Sequence, residues 1–464
     1  MVNSCAVVLA GGKGTRMVSE LPKVLMETVC TPMLWWVLDA CYKSGIQKIC
    51  TVTGYKHETV NEFLNANFPN VKTAYQNEQK GTAHALSFAR EFIQNSNCEN
   101  LLVLCGDAPL MDSETISNAY NHHVKNKNAV TIITAEIDEP TGYGRIVRKT
   151  SSTGNTTVEA IVEQKELSNE QFDIKEVNSG GYWFNTDALL NILDKISNNN
   201  SKGEFYLTDA VELLAKENYT IDAFVTKNND VVLGANTCEQ LYELSEIARK
   251  KILYKHLSNG VKFACMDGVI ITPAVTIGKE TVIYPNTQIL QNSKIGENCA
   301  IGPNSMINSC TVGNGSIINA SQLNQSEVGE NVKIGPFSQV RPNCKIADNV
   351  KIGDFVEVKN SNIGEKTSIS HLTYVGDSDV GGGVNFGCGV VTVNYDGKKK
   401  FRTVIKNKAF IGCNTNLVAP VEIGENAYTA AGSTITKNVP PHSLAIERGK
   451  QAIKEDWVIR KNNR

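Results

Sequence analysis

The stretch Ile295-Gly296-Glu297-Asn298-Cys299-Ala300-Ile301 begins and ends on isoleucine, and its six-residue spacing recurs across the C-terminal part of the chain. Ile277, Ile283, Ile289, Ile295, Ile301 and Ile307 form one unbroken set. After some five-residue slips, Val328, Ile334, Val340, Ile346, Ile352 and Val358 form a second. Ile405, Ile411, Leu417, Ile423 and Ile435 form a third, with Thr429 out of type. Many members open a local pattern of Ile or Val, Gly, acidic or Asn, then small, as in Ile423-Gly424-Glu425-Asn426. Such a period fits neither the 3.6 of a helix nor the 2 of an ordinary strand. It predicts a parallel β-helix, whose short strands meet at corners and bury one apolar residue against the next coil.

Outward from the repeat, 464 residues are long for one core, so two domains are expected. A net charge of −2 supplies no field to draw in nucleic acid or a membrane surface. No apolar run approaches the ~20 residues that span a bilayer. The N-terminus has no basic segment ahead of its first apolar run, which argues against a signal peptide. The thirteen cysteines are scattered, without a Cys-x-x-Cys pair. They read as reduced thiols of a cytoplasmic protein, not as a disulfide framework or a zinc site.

Ahead of the repeat, short apolar runs alternate with helical patterns: Ala6–Leu9, a helix around Leu34 to Ser44, then Lys48–Thr53 and Leu101–Cys105. This predicts a mostly parallel sheet wrapped by helices, with ligands at the carboxyl ends of its strands. Leu9-Ala10-Gly11-Gly12-Lys13-Gly14-Thr15-Arg16-Met17 follows the first strand, and Leu21-Pro22-Lys23 closes the loop. Its glycines let backbone N–H groups approach phosphates, and Arg16 and Lys23 add positive charge. The spacing is neither a Walker loop nor a Gly-x-Gly-x-x-Gly turn.

Gly-x-Gly-Thr-Arg-Met followed by Pro-Lys resembles the sugar-nucleotide pyrophosphorylases. So do Tyr75 to Ala85, Leu104-Cys105-Gly106-Asp107-Ala108-Pro109-Leu110, Thr141 to Ile146, Ile161 to Lys165, Asn178-Ser179-Gly180 and Gly203 to Asp209. Taken with the coil, nearly the whole chain resembles the bifunctional bacterial family that makes UDP-N-acetylglucosamine, an envelope-polymer precursor, from glucosamine-1-phosphate. The resemblance implies a Rossmann-like nucleotidyltransferase domain in which a sugar-1-phosphate attacks the α-phosphorus of UTP. That transfer needs alignment and charge neutralisation, with no protein nucleophile. It implies Leu9, Ala10, Gly11, Gly12 and Lys23 around UTP, with Arg16 and Lys23 in catalysis. Gln76, Gly81 and Thr82 would serve the base end, and Gly144, Glu163 and Asn178 the sugar. Asp107 and Asn236 would hold Mg²⁺, which takes few protein oxygens. The chain departs from the family at Gly12, where Ala is common, and at Cys105, where Tyr is common; both departures bear on sugar selectivity.

Residues 1–236 thus read as the uridyltransferase domain and 237–259 as a helical connector striped by Leu241, Leu244, Ile247, Lys251 and Ile252. Residues 260–464 read as a left-handed parallel β-helix of hexapeptide repeats with a C-terminal arm. Polar residues interrupt its register: Arg341, Lys359, Asn385, and His371 in the middle of a coil. The insertion Asn394 to Phe401 must loop out. Acetyl transfer to a sugar amine needs a base, and imidazole suits that work near neutrality. The resemblance implies His371 as base and Arg341, Lys359, Tyr374 and Asn385 around glucosamine-1-phosphate. Acetyl-CoA would pass Cys388, Asn394, Tyr395, Cys413 and Ala431 towards Arg448. Cys388 and Cys413 stand where Ala and Ser are usual and bring thiols close to a thioester. Lys398-Lys399-Lys400 reads as a solvated loop tip. The expected assembly is a homotrimer with the acetyl-transfer site between subunits. Two other readings stand: a monofunctional pyrophosphorylase whose coil only assembles or regulates it, and a nucleotide-sensing module. His371 with Arg341 and Lys359 argues against the first; Arg16, Lys23, Asp107 and Asn236 argue against the second.

Overall fold

A computed structural model describes residues 1, 3–150, 156–200 and 203–462. The chain divides into two compact units, Met1–Ala248 and Arg249–Arg464. In the first unit the sheet runs, edge to edge, Ile221–Val225, Val130–Glu136, Glu176–Asn185, Asn100–Cys105, Ser4–Ala10, Lys48–Thr53 and Lys72–Tyr75. Alternate residues of each strand feed two cores. Val7, Val103, Tyr182 and Phe184 face one side, and Ala6, Val8, Leu102 and Trp183 the other. The helix expected around Leu34 to Ser44 spans Met33–Lys43.

Along this order the sheet is mostly parallel, as expected, with one strand reversed. Ser4–Ala10 pairs in parallel with its neighbours on both sides. Glu176–Asn185, however, runs antiparallel to both of its own. Its buried run Tyr182-Trp183-Phe184 is covered on both faces, so its apolar pattern matches that of a parallel strand and carries no direction. Because it runs antiparallel, this strand starts beside the carboxyl ends of the parallel ones, and its register with Val130–Glu136 shifts between Asn178 and Gly181, where Gly180 takes φ 75°.

In the second unit every side of the coil is a parallel sheet. Ile283 pairs with Ile301, Ile301 with Ile318, and Ile318 with Ile334, so the repeat's apolar residues stack up the interior. Asn298, Asn331 and Asn426 turn corners with φ between 54° and 56°. Asparagine tolerates that left-handed backbone, which explains its place in the local pattern. Thr429, the residue out of type, also points inward and is buried. Its hydroxyl accepts from the Gly412 N–H at 3.0 Å and lies 3.2 Å from the Thr415 hydroxyl, so the polar group is satisfied.

The connector is the helix Cys238–Ser258, which crosses the division between units. Its buried stripe is Leu244, Ala248, Ile252 and Leu253; Lys251, expected in the stripe, is exposed. Among the described residues, no helix is long and apolar enough to cross a membrane.

Candidate active sites

In the first unit the parallel strands end together. Ala10 leads into the glycine loop, Tyr75 into Gln76, and Cys105 into Gly106 and Asp107. Gly106 N–H donates to Leu9 O at 2.9 Å, which fixes the Asp107 turn against the loop. Three adjoining cavities of about 520, 290 and 210 Å³ open here, and Cys105 and Tyr206 line all of them. The smaller two also share Leu9 and Thr82.

Most of the expected nucleotide and sugar residues meet in these cavities. Leu9, Gly11, Gly12, Lys23, Gln76, Gly81 and Thr82 line the second. Arg16, Asp107, Gly144, Glu163, Asn178 and Asn236 line the first. Ala10 is the exception. It is 1 % exposed and lines no cavity here, because its side chain belongs to the core beneath the sheet. Gly81 takes φ 113°, and a Cβ there would lie 2.4 Å from Phe205 O, so no other residue fits. Gly12 shows the opposite: a Cβ would meet nothing within 4 Å, so the departure from Ala is not a steric requirement.

The charged centre is compact. Lys23 pairs with Asp107, and its ammonium donates to Asn236 Oδ1 at 2.8 Å. Arg16 donates to the same Asn236 oxygen at 3.0 Å. A carboxylate oxygen and an amide oxygen thus converge on one cation position, and that donor set suits Mg²⁺, which keeps several non-protein oxygens. Cys105 stays a neutral thiol. Burial pushes it up to about 12, the Asp107 charge adds to the rise, and Lys23 opposes it. Tyr206 was missed as a lining residue. It sits in Gly203-Glu204-Phe205-Tyr206-Leu207-Thr208-Asp209, whose motif match singled out no side chain.

In the second unit, His371 ends the strand Ser368–His371, just before the left-handed corner at Leu372 (φ 47°). Its Nδ1 lies 2.8 Å from Asp354 Oδ1, the residue in register one coil below. The His371 hydrogen bond and a backbone N–H hold the Asp354 carboxyl below the usual carboxylate range. Successive coils continue this column through Cys388, Cys413 and Ala431: Gly389 N–H donates to His371 O, Asn414 N–H to Cys388 O, and Gly432 N–H to Cys413 O. Arg448 donates to Ala431 O at 3.0 Å, so the arm meets the end of the column. Asn385 is exposed on the same side of the coil as the His371 strand.

Arg341, Lys359, Tyr374 and Asn394 gather on the next side. Arg341 donates to Glu357 at 2.7 Å, and Asn394 reaches the Tyr374 hydroxyl at 3.4 Å and Asp377 at 2.5 Å. A Cβ on Gly376 would lie 2.2 Å from that hydroxyl, so glycine makes room for the tyrosine. The insertion folds back on itself through Phe401 N–H to Asn394 O and the Tyr395–Lys400 bridge. Lys398, Lys399 and Lys400 are exposed, as expected of a solvated tip. The Lys400 ammonium, first, and partial burial hold the Lys359 amine below its usual range, with the Arg341 charge adding to the effect. Tyr395 remains exposed and donates to Gly397 O.

Comparison with known proteins places both units. A nucleotidyl transferase family model matches residues 5–251, and a bacterial transferase hexapeptide model matches 325–360 and 402–437. The chain is 47% identical over 456 residues to the bifunctional protein GlmU of Acetivibrio thermocellus, covering 98% of this chain and 97% of that one. It is 46% identical over 460 residues to its counterpart in Clostridium perfringens, covering 99% of each, and 44% identical over 458 residues to one from Clostridium botulinum. The chain belongs to the GlmU family of bifunctional proteins.

Proposed function

We propose that the two sites carry, one each, the two reactions of this bifunctional enzyme of UDP-N-acetylglucosamine synthesis. The observation behind the division of labour is that the acetyl-transfer candidate His371 has its own carboxylate partner, Asp354, in a unit separate from the Lys23, Asp107 and Asn236 cluster. In the first unit, the loop after Ala10 and the Lys23 and Arg16 cations would hold the UTP phosphates against the sugar-phosphate oxygen. Alignment of this kind lowers a barrier by ~7–11 kcal/mol. Asp107 and Asn236 would hold Mg²⁺, which when bound neutralises phosphate charge.

In the second unit, Asp354 takes up the Nδ1 face of His371, which leaves Nε2 to accept the proton of the sugar ammonium. The amine then forms the C–N bond to the thioester carbonyl carbon, the C–S bond breaks, and the departing sulfur takes the proton that the acylated nitrogen sheds, giving the amide and the coenzyme A thiol. Arg341, Lys359 and Lys400 supply cations for the sugar phosphate.

We further propose that the protein assembles as a trimer with the acetyl-transfer site between subunits, His371 and the Arg341, Lys359 and Lys400 cations standing on adjoining sides of the coil. Sedimentation equilibrium tests this, and a monomer with full acetyl transfer would refute it.

The test of the main reading supplies glucosamine-1-phosphate, acetyl-CoA, UTP and Mg²⁺ to folded His371→Ala and Asp107→Ala proteins. The first should lose acetyl transfer and keep uridyl transfer from N-acetylglucosamine-1-phosphate; the second should do the reverse. Loss of both reactions together in either variant would overturn the division of labour.

A further inference from the structure

Three strands of the first unit carry the expected sugar residues to one place. Arg145–Thr150 runs antiparallel to both Thr156–Val162 and Glu176–Asn185, with Arg145 opposite Val162 on one and Val177 on the other. One step nearer the cleft, the same register brings Gly144 beside Glu163 and Asn178. Asn178 N–H donates to Gly144 O at 2.9 Å, and a Cβ on Gly144 would lie 3.7 Å from Glu163 Oε1. Gly144, Glu163 and Asn178 thus form a single rung at the wall of the cavity of about 520 Å³.

Arg145 is the next residue along its strand, and its side chain takes another direction. Successive side chains of a strand alternate between its faces, so Arg145 shares a face with Tyr143, two residues back. It is 1 % exposed, and its guanidinium donates to Tyr143 O and, at 3.0 Å, to Gln164 Oε1. Gly142 N–H donates to the same Gln164 oxygen at 3.0 Å. Gly142 and Tyr143, just ahead of Gly144, are therefore tied to Gln164, just behind Glu163.

No carboxylate among the described residues pairs with Arg145. Burying a cation without a counter-charge costs stability, so packing does not account for this side chain. A guanidinium does offer several donors in a fixed planar fork, enough to reach both segments at once. We propose that Arg145 is a positioning residue for uridyl transfer, which holds Gly144 and Glu163 at the spacing that receives the sugar. This role rests on the reading of Gly144, Glu163 and Asn178 as sugar contacts. The glycine loop and Gln76 follow other strands and line the adjoining cavity, so the UTP contacts stand outside the tie.

The test measures uridyl-transfer kinetics in full-length wild type, Arg145→Met, Gln164→Ala, the double variant and Glu163→Ala. Arg145→Met and Gln164→Ala should each raise KM for N-acetylglucosamine-1-phosphate about tenfold, with KM for UTP unchanged. The double variant should match the worse single variant, because both substitutions cut one tie. Gln164 is half-buried, so Gln164→Ala spares the fold and decides the question even if Arg145→Met does not fold. A sugar KM that rises in Glu163→Ala but in neither Arg145→Met nor Gln164→Ala would overturn the positioning role alone. So would an equal rise for both substrates, or additive losses in the double variant. A sugar KM untouched by Glu163→Ala would overturn the sugar contacts themselves, and the role of Arg145 with them.

Discussion

His371 Nδ1 stands 2.8 Å from Asp354 Oδ1, and the two residues occupy equivalent positions on consecutive coils. The repeat itself therefore places the carboxylate under the imidazole, one rung or about 4.8 Å away along the coil axis. A carboxylate in that position orients the ring and fixes which nitrogen is free, as in other paired bases. Asp354→Asn should lower kcat for acetyl transfer about tenfold with little change in KM for the sugar. His371→Ala should cost the larger 10²- to 10⁴-fold of a lost general base. Uridyl transfer should be unchanged in both. An Asp354→Asn enzyme with wild-type kcat would show that the pair is incidental.

Lys23 occupies the cation position between Asp107 and Asn236, and its side chain is only 11 % exposed. An ammonium there repels a second cation, and at ~4 Å such repulsion near a surface reaches up to about 4 kcal/mol. Lys23→Gln should therefore bind Mn²⁺ about tenfold tighter than wild type in the absence of nucleotide, measured by electron paramagnetic resonance. It should still turn over more slowly, because the phosphates lose a cation. Asp107→Asn should bind Mn²⁺ more weakly than either. Equal affinity in all proteins would mean that these oxygens are not the cation's ligands.

The coil and the glycine loop were legible because each is a periodic or local pattern: Ile295 to Ile301 states its own neighbours. Strand direction was not, since Tyr182-Trp183-Phe184 is buried on both faces whichever way it runs. The partnership of Asp354 with His371 was hidden for a different reason. It depends on a rung-to-rung register that five-residue slips displace, so counting sixes does not reach it. The three consecutive lysines are the exposed tip they look like, but the closeness of Lys400 to Lys359 follows only from the fold-back of the insertion.

Cys413 is exposed and Cys388 partly so, on successive coils above His371, whereas Cys105 in the other site is held protonated by burial. Thiolate is the reactive form, so the two sites should differ in their response to iodoacetamide. Acetyl transfer should fall several-fold while uridyl transfer is retained, and acetyl-CoA should protect. Peptide mapping of the alkylated protein checks the assignment. Intact acetyl transfer after full modification of Cys388 and Cys413 would remove both from the coenzyme's path.

His123 and His256 both titrate far below an ordinary imidazole, at about 4. Burial is the main cause in each case, with the His122 charge adding to it at His123 and the Lys255 charge at His256. A folded-state value below the unfolded value of ~6.5 means that the unfolded chain binds protons which the folded chain refuses. Stability is then highest above about pH 6.5 and falls as pH drops towards 4. From pH 7 to pH 5 the loss is about 2 kcal/mol per histidine. The two residues lie in different units, so each unit should show its own decline. Urea midpoints at the two pH values measure it, and His123→Gln should flatten the response of the first unit alone. An unchanged pH response in that variant would place the acid sensitivity of this unit in other groups.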